Sequence, residues 1–256
     1  RHFRVTEYFG FELIAVPMLP TGPDMDCVEA LVKDEAVKGI WCVPLYSNPD
    51  GYSYSDETVR RLAAMKTAAP DFKIMWDNAY CVHHLTDTHD VILNMLEECR
   101  KAGHEDRALM FCSLSKVTFP GAGVAAMAAS RRNIDYILKN MFPMIISFDK
   151  LNQVRHIRFL KDMDGLAAHM EKHRALLEPK FRAVLAILDE GLSGCGSIAR
   201  WTKPNGGYFL SLYTLGGCAK RTVQLCREAG VVLTDAGAAY PYGVDPQDSN
   251  IRIAPT

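Results

Sequence analysis

The sequence predicts an α/β fold. A mostly parallel sheet lies between helices, and a small C-terminal α+β unit is joined to it by a long helix. Three observations carry that prediction. Continuous apolar runs of strand length alternate with amphipathic segments before about residue 131. Runs of that kind belong to strands buried on both faces of a covered sheet. Beyond residue 131 the pattern turns helical, through one long stretch at 163–192, and then returns to short strand-like runs around Asn205–Gly206–Gly207.

Taken in order, "FELIAVPM" (11–18) reads as a strand and "DMDCVEALVKD" (24–34) as a helix capped by Asp24. "GIWCVPL" (39–45) is the next strand. "SDETVRRLAAMKTAA" (55–69) is a helix with Ser55 as its cap, without a full capping box because Thr58 stands three residues on. "FKIMWDNA" (72–79) is a strand, "DVILNMLEECRKAG" (90–103) a helix stopped by Gly103, and "ALMFCSLS" (108–115) and "GVAAMAAS" (123–130) two more strands. Pro179 should kink or split the 163–192 helix. "SIARWTKP" and "YFLSLYT" then read as strands, "CAKRTVQLCREAG" as a helix, and "VVLT" and "IRIAP" as short strands. Residues 1–150 are expected to form a partial large domain, 151–192 the interdomain helices, and 193–256 a partial small domain.

Composition narrows the partners. The 256 residues are 48% hydrophobic and 23% charged, with a formal net charge of −1. That balance is ordinary for a globular protein and offers nothing to a polyanion, so no nucleic-acid partner is expected of this segment. No apolar run approaches the roughly 20 residues of a membrane span, and no membrane partner is expected. The eight cysteines show neither C-x-x-C nor zinc spacing. They read as buried thiols of a cytoplasmic protein, with no metal site.

The chemistry gathers at strand ends. Asn48 lies just beyond the 39–45 run, in a turn built by Pro49 and Gly51. Asp77 lies near the end of the 72–79 run and Tyr80 follows three residues later. Ser113, Ser115 and Lys116 stand at the tip of the 108–115 run. Each has an ordinary alternative on its own: a turn amide, a cap carboxylate, a packed phenol, a chance lysine. In a parallel sheet, however, the ligand crevice lies beyond the carboxyl ends of the strands, where all of them would meet.

Pyridoxal phosphate needs that set. It binds a lysine as a Schiff base and takes an acidic partner at its pyridine nitrogen. A nearby carboxylate keeps the nitrogen protonated. A phenol and an amide can hydrogen-bond the ring oxygen, and hydroxyls and backbone N–H groups can hold the phosphate. The lysine, released when substrate binds, can serve as general base and acid.

"SNPDG", "DNAY", "SLSK" and "NIRIAP", in that order, resemble the signature of class I/II aminotransferases, the fold-type I pyridoxal-phosphate enzymes. The wording of "CVPLYSNPDGYSYSDETVRRLA" and "SKVTFPGAGVA" is similar to a narrower subgroup, the MocR-like bacterial aspartate aminotransferases. The resemblance implies a cytoplasmic homodimer with its site at the interface, moving an amino group from an acidic amino acid such as aspartate to a 2-oxo acid such as 2-oxoglutarate. It implies Lys116 as the cofactor anchor, Asp77 on the pyridinium, Tyr80 and Asn48 on the ring oxygen, Ser113 and Ser115 at the phosphate, and Arg252 on the substrate α-carboxylate. An arginine fork suits a carboxylate because it grips by two parallel hydrogen bonds.

Two departures stand out. The family pattern after the lysine carries a phosphate-binding arginine where this chain has Gly123, and Asp50 stands where threonine is commoner, as a tolerable turn residue. The family also carries a glycine/serine phosphate loop and a ring-stacking aromatic upstream of what is Arg1 here. The chain is therefore expected to be a fragment lacking both ends. Two alternatives remain: the cofactor-sensing domain of a MocR-type transcription regulator, and a β-lyase on the same scaffold.

Overall fold

A computed structural model describes residues 2–256. The elements run α1 (His2–Tyr8), β1 (Met18–Leu19), β2 (Gly22–Pro23), α2 (Met25–Leu31), β3 (Gly39–Cys42), α3 (Asp56–Ala64), β4 (Lys73–Asp77), α4 (Met95–Lys101), β5 (Ala108–Ser113) and β6 (Ala125–Ala129). They continue with α5 (Arg131–Met141), α6 (Lys150–Leu160), α7 (Met163–Leu192), β7 (Ala199–Trp201), β8 (Leu210–Thr214), α8 (Ala219–Glu228) and β9 (Asn250–Ile253).

The larger sheet has the order β3-β4-β5-β6. β3, β4 and β5 are parallel, with Cys42 paired to Trp76 and Asp77 to Phe111, so their carboxyl ends share one rim. β6 runs antiparallel to β5 and closes that edge. Capping explains the crossover helices. Ser55 Oγ accepts from Thr58 N at 3.2 Å, and Asn94 Oδ1 accepts from Leu96 N at 3.0 Å. Val59 and Leu62 of α3 and Met95 and Cys99 of α4 then bury themselves against Ile74 and Trp76 of β4. A side chain of that size contributes about 1.5–3 kcal/mol when fully buried, so this cluster pins the rim in place.

The smaller sheet, β7-β8-β9, is antiparallel throughout. Leu212, Ala219, Val223 and Ile251 form its core. The long helix α7 touches both units. Leu188 and Leu192 pack on the small core, and Phe181 packs with Leu85 and Leu210.

Four expectations are corrected. Residues 11–17 form no strand; only Met18–Leu19 pairs, with Gly22–Pro23. Phe11 and Ile14 are exposed and Pro17 has no N–H, so neither burial nor a full ladder rewards a strand there. "VVLT" (231–234) is also unpaired: Val231 and Val232 are exposed, and only Leu233 reaches the small core. Helix α7 is not split. It runs 30 residues through Pro179, with Met170 before the proline and Phe181 after it both buried. Asp50 is more than a tolerated turn residue: it is buried, and Tyr213 Oη donates to its Oδ1 at 2.6 Å.

Candidate active site

The rim at the carboxyl ends of β3, β4 and β5 carries the site. Beyond β3 the chain turns at 47–51, where Gly51 N donates to Ser47 O at 2.6 Å and Gly51 adopts φ +73°. A Cβ at Gly51 would also press within 3.0 Å of Phe209 O, so the turn demands glycine. The turn sets Asn48 on the rim. Its Oδ1 accepts from Arg252 Nη1 of β9 at 3.1 Å, joining residues 204 positions apart.

Arg252 is held on three sides. Nη2 donates to Thr234 Oγ1 at 3.3 Å, and the guanidinium lies 4.6 Å from the Phe209 ring centroid. Its Nε is buried with no hydrogen-bond partner. Burial holds this arginine below its usual pKa, against the opposing influence of Tyr80. A buried, unpartnered guanidinium N–H is costly alone and is well suited to receive an anion.

Asp77 closes β4 and is half-buried. Its Oδ2 lies 3.0 Å from His2 Nε2. The His2 ring in turn stacks on Trp41 of β3, with centroids 4.4 Å apart and planes within 2°. Trp41 Nε1 donates to Thr6 Oγ1 at 3.0 Å, which docks α1 onto the rim.

Tyr80 is buried, edge-on to Tyr208 and Phe209 with ring centroids 6.1 Å away. Burial first, and the Asp77 charge second, push its phenol up to about 12. It therefore stays protonated near neutrality and acts as a donor. The Lys116 amine lies 5.1 Å from the centre of the Tyr80 ring, and the lysine is exposed.

At the tip of β5, Ser113 Oγ accepts from Ser115 N at 3.1 Å and donates to Ser115 Oγ at 2.9 Å. The Ser115 hydroxyl proton is thus the one left to point outward. Gly123 packs against this serine. A Cβ there would overlap Ser115 Oγ and sit 3.0 Å from both Ser115 Cα and N. Asn152 of α6 clamps the same loop, donating Nδ2 to Ala122 O at 2.5 Å. A side chain at 123 would force Ser115 to shift, so glycine suits this packing.

The structure thus joins Asn48 to Arg252, Arg252 through Phe209 to Tyr80, and Tyr80 to Lys116. Asp77 acts on Tyr80 through its charge, and Ser113 and Ser115 bond each other beside the lysine. Sequence reasoning missed His2, Thr234, Phe209, His83 and Tyr208. Phe209 and Tyr208 had one signal, the "NGG" immediately before them; His2 had none, because its partner is 75 positions away. Among the described residues no cluster of three or more His, Cys, Asp or Glu side chains is able to hold a metal ion. No described helix is long and apolar enough to cross a membrane.

Comparison with known proteins bears on this site. A family model described as "Aspartate amino-transferase" matches residues 1–256. A Mycolicibacterium smegmatis protein named as an aminotransferase is 52% identical over 257 residues, covering 100% of this chain and 60% of that protein. The aspartate aminotransferase of Corynebacterium glutamicum is 47% identical over 256 residues, covering 100% of this chain and 59% of that protein. A crystal structure of an aspartate transaminase from C. glutamicum superposes with a TM-score of 0.96 at 47% identity, over 99% of this chain and 60% of that one. The chain thus spans about 60% of the length of the curated relatives it matches.

Proposed function

The chain belongs to the aspartate amino-transferase family, and from that premise we propose that it forms the larger part of a pyridoxal-phosphate-dependent aminotransferase. The amino donor is an acidic amino acid such as aspartate and the acceptor a 2-oxo acid such as 2-oxoglutarate. The feature that supports this best is the Lys116 amine lying 5.1 Å from the Tyr80 ring, on the rim that also bears Asp77 and the Asn48–Arg252 pair.

The donor set fits the cofactor. Lys116 would anchor it, Asp77 would take its ring N–H, Tyr80 and Asn48 its ring oxygen, and Ser113 and Ser115 its phosphate. The buried, unpartnered Arg252 Nε fits a carboxylate. When bound, the cofactor supplies an electron sink for the bond broken at the substrate Cα.

The chain's own residues do the rest. His2 holds Asp77 by Oδ2, which leaves Oδ1 for the ring nitrogen. Tyr80 donates its hydroxyl proton. Arg252 orients the substrate α-carboxylate, already braced by Asn48 and Thr234. Lys116 moves the proton at the substrate Cα. The C. glutamicum relative's name supports aspartate as donor.

The division at 1–150, 151–192 and 193–256 belongs to the same proposal, as do a homodimer and a cytoplasmic location. Exposed Phe142, Ile146, Phe148 and Leu151 form the kind of apolar surface that a partner subunit covers. The deciding experiment is borohydride reduction of the intact protein with pyridoxal phosphate, followed by peptide mapping, then a screen of amino donors. The cofactor is expected on the Lys116 peptide and to be discharged by aspartate; a label elsewhere would sink the proposal.

A further inference from the structure

Two side chains converge on the carbonyl oxygen of Lys116 itself. His83 Nε2 lies 3.2 Å from Lys116 O, and Tyr208 Oη donates to it at 3.1 Å. The next carbonyl is held as well: His169 Nε2 of α7 lies 2.7 Å from Val117 O.

A carbonyl oxygen only accepts, so His83 carries its proton on Nε2. Its Nδ1 is buried with no hydrogen-bond partner. A second proton at Nδ1 would have no acceptor and would bury a charge, so the geometry selects the neutral ring. The groups facing His83 agree. They are Lys116 at the end of β5, His173 on α7, Tyr80 on its own loop and Tyr208 before β8. None of them is an anion. Burial first draws the His83 pKa down to about 4, against the hydrogen bond to the Lys116 carbonyl and with the aid of the His173 and Lys116 charges.

We propose that His83, together with Tyr208, is a positioning residue for Lys116. The two grip its carbonyl and orient the backbone from which the amine reaches the rim, and they add no positive charge beside it. The proposal rests on the role given to Lys116 above. The division of labour is physically sensible. An exposed amine must move between bond-making and proton transfer, so the chain it hangs from has to be fixed by something other than the amine.

The test uses the intact protein and three variants. His83→Phe keeps an aromatic ring against Tyr80 and Tyr208 but removes the donor. His83→Gln restores a donor of similar reach. Tyr208→Phe removes the second donor and carries the same prediction should His83→Phe fail to fold. Borohydride trapping at Lys116 is expected in all of them. For His83→Phe, kcat should fall about 10- to 100-fold, with KM for the amino donor within about twofold of wild type. His83→Gln should recover most of the loss.

Nitrogen NMR of the cofactor-free protein should show His83 protonated on Nε2 and bare on Nδ1 from about pH 5 to about pH 8. An Nδ1–H tautomer, or an unchanged kcat in both His83→Phe and Tyr208→Phe, would overturn the proposal while trapping at Lys116 persists. Loss of trapping in the wild type would overturn the role of Lys116, and this proposal with it.

Discussion

His2 holds Asp77 from α1: its Nε2 lies 3.0 Å from the carboxylate Oδ2 while its ring stacks on Trp41. One carboxylate oxygen is thereby held, and among the described residues no side chain bonds the other. Asp77→Asn should lower kcat roughly 100-fold or more with an unchanged circular dichroism spectrum. His2→Phe keeps the stacking and loses one charge-assisted hydrogen bond, so its kcat should fall roughly tenfold. Equal losses in the two variants would argue against this division of roles.

Arg252 should behave as a binding residue. Arg252→Ala removes the fork and leaves Asn48 Oδ1 without its donor. KM for the amino donor should rise roughly 100-fold. Arg252→Lys should restore little, since an ammonium cannot reach Asn48, Thr234 and a carboxylate together. Steady-state kinetics on the two variants checks this.

Gly123 tests the packing at the lysine tip. Restoring the family's arginine by Gly123→Arg should weaken cofactor retention, because even its Cβ collides with Ser115. The forced shift should cost about 1–3 kcal/mol of stability. Thermal unfolding and the cofactor dissociation constant would register it; tighter cofactor binding would contradict the packing argument.

Stability should depend on pH through His83. Its folded pKa of about 4 lies below the ordinary histidine value of 6.5. Between those values the unfolded chain binds more protons than the folded one, so stability rises with pH. The contribution is full above about pH 6.5, reaches up to about 3 kcal/mol, and is lost as pH falls towards about 4. Urea unfolding at several pH values should show that slope, and His83→Gln should flatten it.

Asp50 should count for more than its turn. Asp50→Ala strands the Tyr213 hydroxyl that donates to it at 2.6 Å across 163 positions. A loss of about 1–3 kcal/mol is expected, and Tyr213→Phe should show much of the same loss. Denaturant midpoints of the two single variants and the double variant measure the coupling.

How much of this was legible beforehand differs by element. Strands β3, β4 and β5 and helices α2 and α3 follow from local signals, the continuous apolar runs and the caps Asp24 and Ser55. Asn48, Asp77, Tyr80, Ser113, Ser115 and Lys116 follow from their order at strand ends. Residues 11–17 and 231–234 misled because their apolar character is real while a pairing partner is not. The antiparallel direction of β6, the unbroken α7, and the contacts of His2 with Asp77, Arg252 with Asn48 and His83 with Lys116 belong to the tertiary structure alone. Periodicity and capping are properties of neighbouring residues and can be read along the chain. A hydrogen bond between residues 75 or 204 positions apart exists only once the packed sheets have brought its two ends together.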